Sequence, residues 1–466
     1  MALDRSDSES RPALSRSLDL PQSISLNIAN MVGVGPFITI PAMLSAMQGP
    51  QAVLAWLVAG LLVLCDGLVW SELGAALPGS GGSYHFLREI YARLHPTWGR
   101  LVPFLFIWQF LISGTFETAS AYIGAMGYLR YVFNDLDETL AQWHVPGGAN
   151  TVGALLCLCV TAMLCRHIRV LGQLSVVLCA GILGALLIVI ISGLPDLNPK
   201  LLHFPAGTLT WANVPQFSHG LGAAMTIAIY DYFGYYNICY LGDEVRNPGK
   251  TIPRAVISSV WIIGILYFLM TVAIIGVIPW DEAARSQAVA ANLVARIFGT
   301  RVATAFALLV VWTAIAGVFA MSLGYSRIPY AAARNGDFFR VFGTLHSGGY
   351  PVVSIVCLGL LTACACYFPF EFVIDVAVAV RILVQFIGQI LGLHVLRTTR
   401  PDVKLPFRMR LYPLPSLIAL VGWLFVLGTQ KWLVLGVALG VTVTGIPAFF
   451  AWRAWTGGPS RAPADV

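Results

Sequence analysis

Charge is scarce in this chain of 466 residues: only 11% are Asp, Glu, Lys or Arg, while 58% are hydrophobic. That balance leaves too little polar surface to cover a core in water, so a soluble globular protein is excluded and a polytopic membrane protein is indicated. Alternation is missing as well. Runs such as "AGILGALLIVIISG" are apolar at every position, which excludes a membrane β-barrel and requires helices whose backbone satisfies itself in lipid. Metal-ligand spacing is also missing. Among nine cysteines, Cys157 with Cys159 and Cys364 with Cys366 form C-x-C pairs inside apolar runs, and the eight histidines lie mainly in loops or at span ends. The cysteines read as small buried hydrophobes. No metal or other cofactor is expected, and an enzyme is not expected, because neither a nucleophile beside a base nor a metal cluster is in view. No soluble basic face offers itself to nucleic acid. No cleavable signal peptide is evident in "MALDRSDSESRPALSRSLDL", which is polar and mixed in charge.

What is present is a series of apolar runs, each about 20 residues long and so able to cross roughly 30 Å of hydrocarbon. Twelve are found, over 22–46, 52–76, 101–129, 151–165, 170–193, 219–242, 254–279, 302–326, 350–368, 371–396, 411–429 and 431–452. The expected fold class is all-α, a membrane protein of about 12 transmembrane helices. With the N-terminus placed in the cytoplasm, 21 of the 28 Lys and Arg fall in inside segments, six fall outside and Arg381 lies within a span. Positive charge resists translocation, so both termini are expected in the cytoplasm and the cytoplasmic membrane is the expected location. The net charge of +6 is then a topological signal.

The first run carries Gly33, Gly35 and Pro36 in its middle, and the sixth, five spans later, carries "YDYFGYYN", with Asp231 and Gly234 at its centre. Interrupted helices in matching positions of two five-helix units point to an inverted repeat with a site near the bilayer midplane. The expected division is a cytoplasmic tail over 1–20, a core over 21–400 built of repeats 21–195 and 215–400, two additional spans over 401–453 and a second tail over 454–466. An interrupted helix exposes N–H groups at the start of its second half and C=O groups at the end of its first. The former suit a carboxylate and the latter an ammonium. Gly33, Val34 and Gly35 are therefore expected to cradle a carboxylate, and the break around Tyr230, Asp231 and Gly234 an amine. Together they describe a zwitterion, an amino acid.

Ionisable residues inside spans are costly and mark functional positions. Asp231 reads either as a partner for a substrate amine or a proton, or as a cap on its own broken helix. Glu117, in "ISGTFETASAYIG", reads either as a proton site or as a structural hydrogen-bonding group. Asp66 and Glu72 lie toward the inner end of the second span, where a gate or interface role is expected. Arg381 is rotated about 240° from Asp375 along the tenth span, so it needs a partner on another helix.

Four motifs resemble the amino acid/polyamine/organocation (APC) superfamily of transporters. They are "GVGPF" at 33–37, "SELGAALPGSGGSYHFLREIYA" at 71–92, "GDEVRNPGKTIPRAV" at 242–256 and "YSRIPYAAARNGDFFRVFGTLHSGGYP" at 325–351. The resemblance covers roughly residues 20–450. It implies a five-plus-five inverted repeat with broken helices 1 and 6 and two C-terminal helices, acting as a secondary transporter by alternating access. It further implies that a substrate carboxylate meets the backbone around Gly33 to Gly35 and that Tyr230 stands where the family carries an aromatic gate. Tyr84, in the second motif, joins Tyr230, Glu117 and Asp231 as a gating or coupling candidate. Two departures stand out. The fifth span, "LGQLSVVLCAGILGALLIVIISG", lacks the Lys that proton-coupled members carry, which leaves a proton, sodium or exchange open as the coupling. Asp231 stands where relatives often have a small residue, which raises a cationic amino acid or a polyamine as the alternative substrate. A membrane sensor that binds an amino acid without moving it is the alternative of a different class.

Overall fold

The computed structural model describes residues 16, 18–33, 35–79, 81–95, 97–165, 171–208, 210–346 and 350–456, excepting the side chains of 171–180, 182, 316, 320 and 323. Val34, most of the tail expected over 1–20 and all but the start of the tail expected over 454–466 lie outside these residues.

The first apolar run folds as two helices. α1 (Leu20–Met31) ends before Gly33, and α2 (Gly35–Met47) leaves it at 52°. Pro36 lies in the opening turn of α2, where its missing N–H costs nothing. α3 (Val53–Ala76) follows, then the short α4 (Ser83–Tyr91), which buries Tyr84, Phe86, Leu87 and Ile90. α5 (Trp98–Val132) is 35 residues long; α6 (Leu136–Gln142) turns the chain into α7 (Ala149–Leu164) and α8 (Leu171–Gly193). α9 (Val214–Tyr232) gives way to two 3-10 turns, Asn237–Tyr240 and Gly242–Glu244. α10 (Pro248–Val277) begins with a proline after Asn247, whose left-handed φ of 49° sets the turn. α11 (Trp280–Ala284) and α12 (Val289–Phe298) are short, α13 (Thr300–Arg334) is long, and α14 (Val352–Ala365) precedes α15 (Phe370–Arg381). A π turn at Ile382–Phe386 joins α15 to α16 (Ile387–Thr399), and α17 (Leu414–Gly428) and α18 (Trp432–Trp455) complete the bundle.

Among the described residues no β-strand occurs; an isolated parallel bridge joins Leu18 to Val245. Among the described residues six helices are long and apolar enough to cross a membrane, seven with α1 and α2 taken as one bent span, and α7, α14 and α17 are among the shorter apolar helices. Exposed Leu57, Leu61, Trp261, Ile265, Trp312, Val421 and Leu433 coat the outside of the bundle, the inverse of a soluble surface and the pattern lipid requires. The chain is an all-helical, multi-pass membrane protein.

Packing follows the two breaks. α2 lies along α9, α3 along α10 and α9, α1 along α10, and α5 along α13 and α15. The broken pair thus sits between α3 and α10 on one side and α5 and α15 on the other.

Candidate functional site

α9 stops at Tyr232 because Phe233 turns extended (ψ 136°) and Gly234 takes φ +107°, a conformation that L side chains rarely adopt. A Cβ on Gly234 would also come within 2.9 Å of Asn30 on α1. The polar backbone freed by this break is met by α1. Asn27 Nδ2 donates to the Tyr235 carbonyl at 2.6 Å, and the Ile238 N–H donates to Asn27 Oδ1 at 2.9 Å. From α10, the Tyr267 hydroxyl donates to the Met31 carbonyl at 2.8 Å and lies 3.4 Å from the Asp231 carbonyl. The two breaks therefore face each other and share partners. The sixth run differs from two α-helical halves: past Gly234 the chain continues in 3-10 turns, so the N–H end available to a ligand belongs to α2.

Asp231 lies in the last turn of α9, and its carboxylate crosses to the other break. Thr39 of α2 donates to Asp231 Oδ2 at 2.5 Å, while Asp231 Oδ1 is buried with no hydrogen-bond partner among the described residues. A Cβ built on Gly35 would collide with that oxygen, so the carboxyl occupies the space beside the first turn of α2. This is the pole where a substrate carboxylate is expected, rather than the amine pole at which the sequence set Asp231. A Cβ on Gly33 would meet only the Gly35 nitrogen, at 4.0 Å. Gly33 borders open space; Gly35 does not. The third member of the expected cradle, Val34, lies outside the described residues.

Tyr230 points from α9 to α5, where its hydroxyl bonds that of Ser120 and lies 3.3 Å from the Glu117 carbonyl. Glu117 is ion-paired with Arg381 of α15, which supplies the interhelical partner that Arg381 requires. Arg381 also donates to Ser113 at 3.3 Å and Tyr236 at 3.2 Å, and its guanidinium stacks over Phe233 at 4.6 Å. Tyr325 of α13 donates to Glu117 Oε2 at 2.5 Å. Both charges are almost fully buried. A pair this well hydrogen-bonded offsets the cost of taking two ions out of water. Glu117 has a cation; Asp231 has none among the described residues.

Tyr84 is not brought to the breaks. It sits at the arginine-rich end of the bundle, donating to Asp337 Oδ2 at 2.7 Å beside Arg88 at 2.8 Å. The second and fourth motifs thus clasp each other. Glu72 makes a second clasp there, accepting from Arg397 Nε at 2.6 Å, Arg397 Nη2 at 2.7 Å and the Met409 N–H at 2.9 Å. The third motif makes another: Arg246 pairs with Asp19 at 3.3 Å and its N–H donates to Leu18. Asp66 is farther inside, accepting from Tyr235 and from Trp423 Nε1 at 3.1 Å. Tyr84→Phe is expected to lower the thermal stability of the detergent-purified protein by about 1.5–3 kcal/mol, the worth of a hydrogen bond to a charged group. The same variant should leave the half-saturating substrate concentration unchanged, because Tyr84 touches neither break.

Sequence patterns missed Asn27, Thr39 and Tyr267. Asn27 had a weak signal, an amide between Leu26 and Ile28 shortly before the break; Thr39 and Tyr267 had none, since hydroxyls are common in membrane helices.

Residues 18–452 match the family model described as "Amino acid permease". The chain is 26% identical over 460 residues to the large neutral amino acids transporter small subunit 2 of Oryctolagus cuniculus, covering 95% of this chain and 81% of the relative. It is 27% identical over 469 residues to the Asc-type amino acid transporter 1 of Mus musculus, covering 96% and 83%. It is also 27% identical over 461 residues to the cystine/glutamate transporter of Homo sapiens, covering 95% and 86%. These relatives are transporters and not enzymes, and with the family model matching nearly the whole length, the chain belongs to the amino acid permease family.

Proposed function

We propose that this protein is a secondary carrier that moves amino acids across the cytoplasmic membrane by alternating access. The observation that carries it is the meeting of the two breaks. The first turn of α2 at Gly35 and the last carbonyls of α1 and α9 at Met31 and Asp231 converge within one buried space, offering opposite backbone poles to one zwitterion. Repeats 21–195 and 215–400 would supply one break each, with residues 401–453 as additional spans. α1 and α2, α3, α9 and α10 would rock against the remainder.

The clasps through Asp337, Glu72 and Arg246 all lie at the arginine-rich end, taken as cytoplasmic with both termini. A cavity of about 330 Å³ opens at the other end, lined by His219, Glu371, Asp375 and Lys431 among others. That asymmetry suits a conformation closed toward the cytoplasm. The relatives' names speak of large neutral amino acids, cystine and glutamate, which favours an amino acid over a polyamine. A cationic amino acid or polyamine is the second reading, because Asp231 has no cation of its own among the described residues.

The purified chain in proteoliposomes is expected to accumulate at least one radiolabelled neutral amino acid above control vesicles. Accumulation of arginine, lysine or putrescine alone would favour the second reading. Binding with neither accumulation nor exchange for amino acid loaded inside the vesicles would make the protein a sensor.

A further inference from the structure

The carboxylate pole of the site already holds a carboxyl group belonging to the chain. Asp231 is 2% exposed, its Oδ1 has no hydrogen-bond partner among the described residues, and that oxygen fills the position a Cβ on Gly35 would take. At the carbonyl pole, the Tyr267 hydroxyl donates to Met31 where a substrate ammonium would donate. The groups packed around Asp231 offer it no cation. α2 contributes the Thr39 hydroxyl. α9 and α10 contribute Tyr230, Tyr232 and Tyr267, which are neutral phenols. On α3, Asp66 is engaged by Tyr235 and Trp423; on α5 and α15, Glu117 and Arg381 neutralise each other, and Asp375 lines the outer cavity. α17 brings Trp423 but no charge.

Resting on the amino-acid reading above, we propose that Asp231 is a tethered stand-in for the substrate carboxylate, and that it takes up one proton whenever a substrate replaces it. Two carboxylates cannot both be ionised at one helix N-terminus in a low-dielectric core. The substrate is a zwitterion and keeps its carboxylate ionised against the α2 N–H groups. Asp231 accepts a proton from the outer solution on Oδ1, and as a neutral acid it leaves the α2 turn without the cost of an unpaired buried charge. After the inner side opens, the amino acid leaves, Asp231 releases its proton to the cytoplasm, and the carboxylate returns to Gly35 and Thr39. Each cycle moves one neutral zwitterion and one proton, hence one positive charge. Proton coupling thereby needs no lysine in the fifth span.

The test uses the full chain in proteoliposomes containing a pH-sensitive dye and supplied with a radiolabelled mixture of L-amino acids. Acidifying the outside by one unit should raise wild-type accumulation by up to about tenfold, with interior acidification accompanying uptake. Asp231→Asn should lose the acid-driven accumulation and the acidification, and Asp231→Glu should keep both. Wild-type accumulation indifferent to the pH gradient overturns the inference whatever the variants do, as does acid-driven accumulation retained by Asp231→Asn. Uptake of radiolabelled putrescine and of no amino acid, abolished in Asp231→Asn, would make Asp231 an amine ligand and overturn it too. Exchange without proton dependence defeats this inference alone, whereas wild type that neither exchanges nor accumulates any amino acid defeats the transport reading with it.

Discussion

Replacing Gly35 by alanine is expected to lower amino-acid uptake in proteoliposomes by about 5- to 150-fold. A Cβ at this position would collide with Asp231 Oδ1, and overpacking of this kind costs about 1–3 kcal/mol, equivalent to about 5- to 150-fold in occupancy of the competent geometry. The collision falls where α9 and α2 meet and pushes the carboxyl off the hydrogen bond from Thr39. It also fills the space in which a substrate carboxylate would approach backbone N–H groups. Gly33→Ala is the control. Its Cβ would meet nothing closer than the Gly35 nitrogen at 4.0 Å, so this variant should keep most of its uptake. Both variants should elute as wild type on size exclusion. Equal uptake by Gly35→Ala and wild type would remove the first turn of α2 from the site.

Arg381→Met is expected to destabilise the purified protein by about 3–5 kcal/mol, because it leaves the buried Glu117 carboxyl without its partner. Glu117→Gln should cost a similar amount by stranding Arg381. The effect is large because the pair is shared: Arg381 reaches Ser113 and Tyr236 at 3.3 and 3.2 Å, and Glu117 accepts from Tyr325 at 2.5 Å. Four segments, α5, the break after α9, α13 and α15, lose a common anchor when either charge goes. The double variant Glu117→Gln with Arg381→Met should recover more than half of the loss, since no buried charge is then unpaired. The measurement is thermal unfolding in detergent. Additive losses in the double variant would show that each residue acts separately. The π turn at Ile382–Phe386 directly follows Arg381, and such turns recur where a helix re-aims side chains.

The all-helical, membrane-crossing character was legible because an apolar run of membrane-crossing length has few alternatives, although among the described residues six helices, or seven with the bent pair, reach that length against the twelve runs expected. The break at Gly33 to Pro36 was legible for the same kind of reason: glycine and proline in the middle of such a run must end or bend it. Its match around Gly234 was legible too, and the φ of +107° there is what glycine alone supplies cheaply. What lay beyond single-chain pattern was which polar group faces which. Arg381 and Glu117 are 264 residues apart, and Thr39 and Asp231 are 192 apart. Helix periodicity orients a side chain on its own helix but carries no information about the neighbour it meets. Asp231 shows the consequence. Its position next to the second break suggested the amine pole, whereas the last turn of α9 aims it across to the first break. Tyr84 is the converse case: its motif was plain, but the motif serves a clasp on Asp337 at the end of the bundle.

The central claim, that the paired breaks form one amino-acid site, is tested most directly by substrate protection of a cysteine introduced as Gly33→Cys. The new side chain would face open space beside the break, in a background where the exposed Cys159 and Cys364 are replaced by serine. The account predicts that a transported amino acid slows maleimide labelling at this position, with half-protection at the concentration that half-saturates uptake. Labelling that no transported amino acid slows at any concentration would place the substrate elsewhere and contradict it.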